Sequence, residues 1–143
     1  MGIANLVAGV CASYESCIVE AREGATHGCV QDIHIGRFAQ AFRDLLPIMR
    51  LLGTAFYFVE QDIVQKLDAI TGHQAKQIDQ DYAVNLIDFI NWEKENNPKI
   101  LTDKNSAARH TLRLMRALHF ISVRFNSLVT THFLYQNPFY EFP

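Results

Sequence analysis

The sequence predicts an all-α fold on two observations. Apolar residues recur at three-to-four spacing through five successive segments, and no stretch alternates apolar with polar residues as a half-buried strand would. A third observation predicts how the helices are arranged. Residues 51–70 and 106–125 are rich in large apolar side chains around most of their circumference, which suits helices buried between layers better than a ring of one-sided helices. At 143 residues, with 49% hydrophobic and 20% charged residues, the chain is long enough for one domain with a real core.

The first segment, residues 5–22, carries Leu6, Val10, Tyr14, Cys17 and Ala21 on one face, and Gly24 and Gly28 are expected to end it. A second begins near Asp32 and presents Ile35, Phe38, Phe42, Leu45 and Leu46. Pro47 should kink or interrupt that helix, because its ring removes a backbone donor and crowds the preceding turn. The third is expected from about Ile48 to Ile70, with Gly53 as a soft point and Thr71-Gly72 as its stop. Along it Phe56, Val59, Ile63, Leu67 and Ile70 form one stripe, with Asp62 and Lys66 about a quarter-turn away on its flank. After a polar connection, Tyr82, Leu86, Phe89 and Ile90 mark a fourth helix, which Asn96-Asn97-Pro98 terminates. Thr102, Asp103 or Ser106 caps the fifth, whose apolar set includes Leu112, Met115, Leu118, Ile121 and Phe125. The divisions expected are an N-terminal helix and loop (1–30), a helical domain (31–128) and an irregular tail (129–143). That tail holds Phe133, Tyr135, Phe139, Tyr140 and Phe142 among turn formers, and reads either as an interface-seeking aromatic patch or as a poorly ordered end.

Composition excludes several classes of function. A net charge of -2 leaves no basic excess for nucleic acid, so an anion could be held only by a local cluster. Three cysteines (Cys11, Cys17, Cys29) without CxxC spacing fit a reducing compartment and no disulfide scaffold, and His27, Cys29 and His34 match no standard zinc spacing. No Lys or Arg precedes the apolar N-terminal run and Asn5 interrupts it, against a signal peptide; Leu6 replaces the Ser or Thr of a myristoylation pattern. The oily region 45–59 contains Pro47 and Arg50 and is shorter than the roughly 20 residues a span requires. A cytosolic chain is therefore expected. No GxSxG, HExxH, P-loop or GxGxxG motif is present, so no catalysis and no cofactor are expected, and His110 and His119 read as packing residues on a helix.

Two charged pairs stand out against the apolar helices: Asp62 with Lys66, and Arg109 with Arg113, each one turn apart. The ordinary reading of Asp62–Lys66 is an exposed salt bridge worth a few tenths of a kcal/mol, and of Arg109, Arg113 and Arg116 a solvated stripe. The alternative is a polar mouth on an oily slot. Like charges one turn apart repel, and a facing anion would relieve them; arginine's planar fork suits phosphate, lysine adds a point charge, and Asp accepts from an amide or hydroxyl.

At these residues the sequence resembles a known family. LLGTAFYFVEQDIVQKL, then YAVNLIDFINWEKEN, then SAARHTLRLMRALHF looks like the glycolipid transfer protein fold over roughly residues 35–128, nearest to its ceramide-1-phosphate transfer branch. The resemblance implies a two-layer all-helical sandwich holding one sphingolipid, with its chains between the layers and its headgroup at a surface site. It implies that Asp62 accepts from the sphingoid amide and that Lys66, Arg109 and Arg113 clasp the phosphate. The sugar-binding branch has Asn in the place of Lys66 and Trp in the place of Arg113, so phosphate is the expected headgroup and ceramide 1-phosphate the expected ligand. Transient peripheral contact with membranes is implied as well. Further helices that close the pocket in the family, and supply a histidine, have no counterpart here, and His132 does not stand in the matching motif. The sandwich is thus expected to be incomplete at its C-terminal end. The competing expectation is a non-transferring interaction or lipid-sensor module that self-associates through the uncovered apolar face.

Overall fold

The computed structural model describes residues 2–21, 31–51, 53–77 and 79–136. Gly24, Gly28, His27, Cys29 and the last tail residues, 137–143, on which several of the expectations above fall, lie outside them. The architecture is all-α: α1 (Ile3–Glu15), α2 (Ile35–Leu51), α3 (Tyr57–Ala75), α4 (Leu86–Asn96) and α5 (Ala107–Gln136). Helix α1 packs on α2, α2 on α3 and α3 on α5, while α4 closes against the start of α5. Phe42, Met49, Ile63, Leu67, Ile70, Phe89, Leu114 and Ile121 are fully buried between them. The stripe expected on α3 is thus the core-facing one. Val10 and Cys17 join the same core, and Tyr14 meets Phe42 edge-on at 5.5 Å.

One short antiparallel pair corrects the expectation of no strand. β1 (Ile18–Glu20) pairs with β2 (Gln31–Ile33) in the register Ile18↔Ile33, and His34 N–H donates to the Cys17 carbonyl at 2.8 Å. Three residues a side are too few for alternation to be visible in sequence, and the pair cuts the first helix short at Glu15 instead of residue 22. The buried Asp32 within β2 then accepts from the backbone N–H groups of Ile87 (2.8 Å) and Asp88 (3.3 Å). An acidic side chain from the strand therefore caps the N-terminus of α4, where the local Asn85 makes no side-chain cap.

The break between α2 and α3 falls at Gly53, not at Pro47. Helix α2 runs through Pro47 because that residue lies on the exposed side, where the carbonyl deprived of its donor faces water. Gly53 instead takes φ 100° and ψ 177°, a region open almost only to glycine, and a 3-10 turn at Thr54–Phe56 leads into α3. Gly53→Ala should cost about 2 kcal/mol of stability. A chemical-denaturation midpoint unchanged from wild type would contradict the strain argument. At the other end α3 passes Thr71-Gly72 and stops at Ala75, since Gly72 keeps a negative φ and cannot form the left-handed stop. Helix α5 likewise continues to Gln136, beyond residue 128 where irregular chain is expected, because no helix breaker occurs before Asn137-Pro138.

Candidate functional site

The charged residues sit where α3 crosses the first turns of α5. Lys66 is only 6% exposed, its ammonium paired with the Asp62 carboxylate one turn earlier and reaching the Asp62 carbonyl at 3.4 Å. Asp62 itself is largely exposed. The ordinary reading of an exposed surface pair thus holds for the acid and fails for the base. A buried lysine with one partially solvated counterion is an incompletely compensated charge.

The α5 side of the crossing is held by an unexpected cap. Ser106 Oγ accepts from Arg109 N–H at 3.3 Å, as one of the anticipated caps. The buried Glu93 of α4 does more, accepting from Ala107 N–H (3.1 Å) and Ala108 N–H (2.9 Å), one with each oxygen. Asp103 serves the loop instead: its carboxylate accepts from Asn105 N–H and Asn97 Nδ2, which hold it below the usual range, and its carbonyl accepts from Arg109 Nη1 at 3.1 Å. Arg109 is therefore tethered to the loop, whereas Arg113 projects into solvent.

Between them in the sequence stands His110, half-buried, with its Nδ1 inaccessible to water and without a hydrogen-bond partner among the described residues. Burial first, then the charges of Lys66, Arg113 and His73, hold its pKa below the ordinary 6.5, with Glu93 opposing. A histidine depressed in this way contributes stability above the unfolded value near 6.5 that is lost as pH falls through the folded one. Of the four residues singled out from sequence, Asp62 and Lys66 touch directly, Arg109 donates to the Asp103 carbonyl, and the charges of Lys66 and Arg113 both act on His110. Sequence reading missed Glu93 and His73 and left His110 to packing. The sequence ARHTLR offered a signal for His110, flanked by two arginines; Glu93 offered none, lying 14 residues before the amide it caps.

Flanking this cluster is a row of uncovered apolar side chains. Leu112 (52% exposed), Met115, Phe120 and Val123 lie on the outer side of α5, interspersed with the exposed Arg116 and His119. The expected apolar set of α5 is corrected here: Ile121 is buried and Leu118 half-buried, but Leu112 and Met115 are exposed, on the side of α5 turned away from the core. Tyr57 and Phe58 are exposed at the start of α3. A cleft of about 400 Å³ at the α2–α3 elbow, lined by Arg50, Gly53, Thr54, Tyr57 and Glu60, touches none of the four predicted residues. In it Arg50 donates twice to Glu60 Oε1 (2.5 and 2.9 Å) and holds that carboxyl below the usual range. Among the described residues no His, Cys, Asp or Glu cluster is arranged to hold a metal, and no helix is long and apolar enough to cross a membrane.

The fold is all-helical, and its basic residues stand beside exposed apolar side chains of α5. The glycolipid transfer protein (GLTP) family model matches residues 33–137, and the chain belongs to that family, one of lipid transfer proteins and not of enzymes. The chain is 26% identical over 105 residues to the ceramide-1-phosphate transfer protein of Danio rerio, covering 71% of this chain and 49% of the relative. It is 26% identical over 134 residues to the ceramide-1-phosphate transfer protein of Xenopus tropicalis, covering 86% and 55%. The chain thus spans about half the length of the curated relatives it matches. No solved structure gives a significant match.

Proposed function

We propose that the chain binds a sphingolipid with a phosphate headgroup, ceramide 1-phosphate by preference, and moves it between membranes without chemical change. The observation that carries the reading is Lys66, a buried ammonium paired with the largely exposed carboxylate of Asp62 on the helix that packs against α5. In this scheme Lys66, Arg109 and Arg113 clasp the phosphate through charge-assisted hydrogen bonds, and Asp62 accepts from the sphingoid amide. The acyl chains lie along the apolar face of α5, where burial is worth about 0.8 kcal/mol per CH₂. The names of the two vertebrate relatives support the same ligand. Contact with the bilayer is transient and peripheral, and the protein works from the cytosol.

The test is vesicle-to-vesicle transfer of fluorescent ceramide 1-phosphate and galactosylceramide side by side. Transfer of the phosphate lipid alone is the expected result, and Arg113→Ala should reduce it about tenfold or more while leaving the helical circular-dichroism signal unchanged, since Arg113 is exposed and supports no packing. Equal transfer of the two lipids would remove the phosphate preference. A second reading rests on the uncovered face of α5 and on the half-length match: a non-transferring module that associates with itself. Failure to transfer either lipid, together with a concentration-dependent size in sedimentation, would favour it.

A further inference from the structure

We infer that the groove between α1 and α2 is a second binding site, which takes a protonated single-chain amine: the aliphatic chain lies on an apolar floor and the ammonium donates to Asp44. This stands apart from the phosphate reading, since the groove shares no residue with the charged cluster of α3 and α5.

The shape of the groove supplies the first reason. It holds about 370 Å³, within the roughly 300–1,000 Å³ of small-molecule pockets, with Leu6, Val10 and Pro47 as its apolar part and Ser13, Arg43 and Asp44 at its polar end. Ser13 Oγ donates to Asp44 at 2.6 Å and Tyr14 meets Phe42, which draws the later turns of α1 against the middle of α2. One turn before Ser13, Gly9 has no side chain to fill the space, and a Cβ placed there would meet nothing within 4 Å. A furrow is left along Gly9, over the buried Val10 and the half-buried Leu6. The seven residue steps from Leu6 to Ser13 make it about 10 Å long, the reach of an extended octyl chain.

The charge at its end supplies the second. Asp44 is half-buried, and its two oxygens accept from Ser13 Oγ (2.6 Å) and Gln40 Nε2 (2.8 Å), both uncharged donors. Arg43, its neighbour in the chain, turns instead to Asp68 of α3 at 3.5 Å, and among the described residues no cation pairs with Asp44. One negative charge therefore stands uncompensated at the polar end of an apolar furrow. An ionised carboxylate offers about four lone-pair sites, of which two are taken, and Ser13 Oγ can still accept while it donates. An ammonium, three donors with no acceptor, matches those acceptors and supplies the missing charge. A carboxylate head would meet repulsion from Asp44, and a hydroxyl head would gain no charge-assisted bond.

Octylamine, octanoate and 1-octanol carry the same chain on three different heads, and the amine is protonated at neutral pH as a lysine is. Titrated into the full chain and followed by amide NMR, octylamine should shift the Gly9, Ser13 and Asp44 resonances and bind at least tenfold more tightly than either of the others. Butylamine should bind about tenfold more weakly than octylamine, because it buries less chain. Asp44→Asn keeps an acceptor for Ser13 and should bring the three heads to within about twofold of one another. Gly9→Leu fills the furrow and suits a helix better than glycine, so octylamine affinity should fall tenfold or more while the thermal midpoint is no lower than wild type. The inference is overturned by a wild type that binds no octylamine or binds the three heads equally, by shifts confined to the exposed side of α5, or by undiminished binding in Gly9→Leu. Shifts at Gly9 and Ser13 on dilution of the protein alone would overturn it too, by showing that a second copy of the chain fills the groove. Each of these outcomes leaves the phosphate site standing.

Discussion

Lys66→Met is expected to lower the affinity for a short-chain ceramide 1-phosphate about 100-fold, roughly 2.7 kcal/mol, while the thermal midpoint stays within a few degrees of wild type. The two halves of that result have separate causes. The four-carbon stem of Lys66 is buried beside Ile63, Leu67 and Ile70, and Met fills nearly the same volume without a charge to desolvate. Its counterion Asp62 is largely exposed and is left in water when the ammonium goes, so little stability is lost. Binding is different: in the proposed scheme the phosphate loses a charge-assisted hydrogen bond that Met cannot supply. Isothermal titration with the lipid and a melt followed by circular dichroism give both numbers. Retained affinity would remove Lys66 from the site.

Glu93→Ala should act in the opposite way, through the fold. Expected is a loss of about 3 kcal/mol, because two buried amides at the start of α5 lose a charged acceptor and the helix dipole loses its counter-charge. The first turn of α5, which bears Arg109 and His110, would fray, so lipid affinity should fall as well although Glu93 touches no ligand in the proposed scheme. Glu93→Gln, which keeps one acceptor oxygen, should recover part of both. Denaturant unfolding of the three proteins checks the order; a wild-type midpoint for Glu93→Ala would show that Ser106 alone caps the helix.

These variants also mark where the sequence could and could not be read. The core stripe of α3 and the end of α4 at Asn96 follow from spacing and from Asn-Pro chemistry, both local to the chain. The misplaced break between α2 and α3 came from weighing Pro47 by its intrinsic cost, when exposure made that cost bearable and the positive φ of Gly53 turned the chain. Gly72 misled for the converse reason, since a glycine stops a helix only where it turns left-handed. The spacing of Asp62, Lys66, Arg109 and Arg113 was visible, but the asymmetry between a buried Lys66 and an exposed Asp62 depends on how α3 meets α5. Glu93 and Asp32 were invisible as caps because each serves a helix other than its own.

Those two caps differ in how much chain must close to make them. Glu93 reaches the Ala107 amide across 14 residues, whereas Asp32 reaches that of Ile87 across 55. The longer closure costs about 1 kcal/mol more in chain entropy. The α4–α5 corner can therefore assemble from near neighbours in sequence, while the start of α4 must wait for the N-terminal third of the chain to dock. Arg109, His110 and Arg113 belong to the part of the molecule that contacts of low sequence separation can build first. Lys66 arrives with α3, so the cationic cluster is completed only when the early corner and the later helix meet.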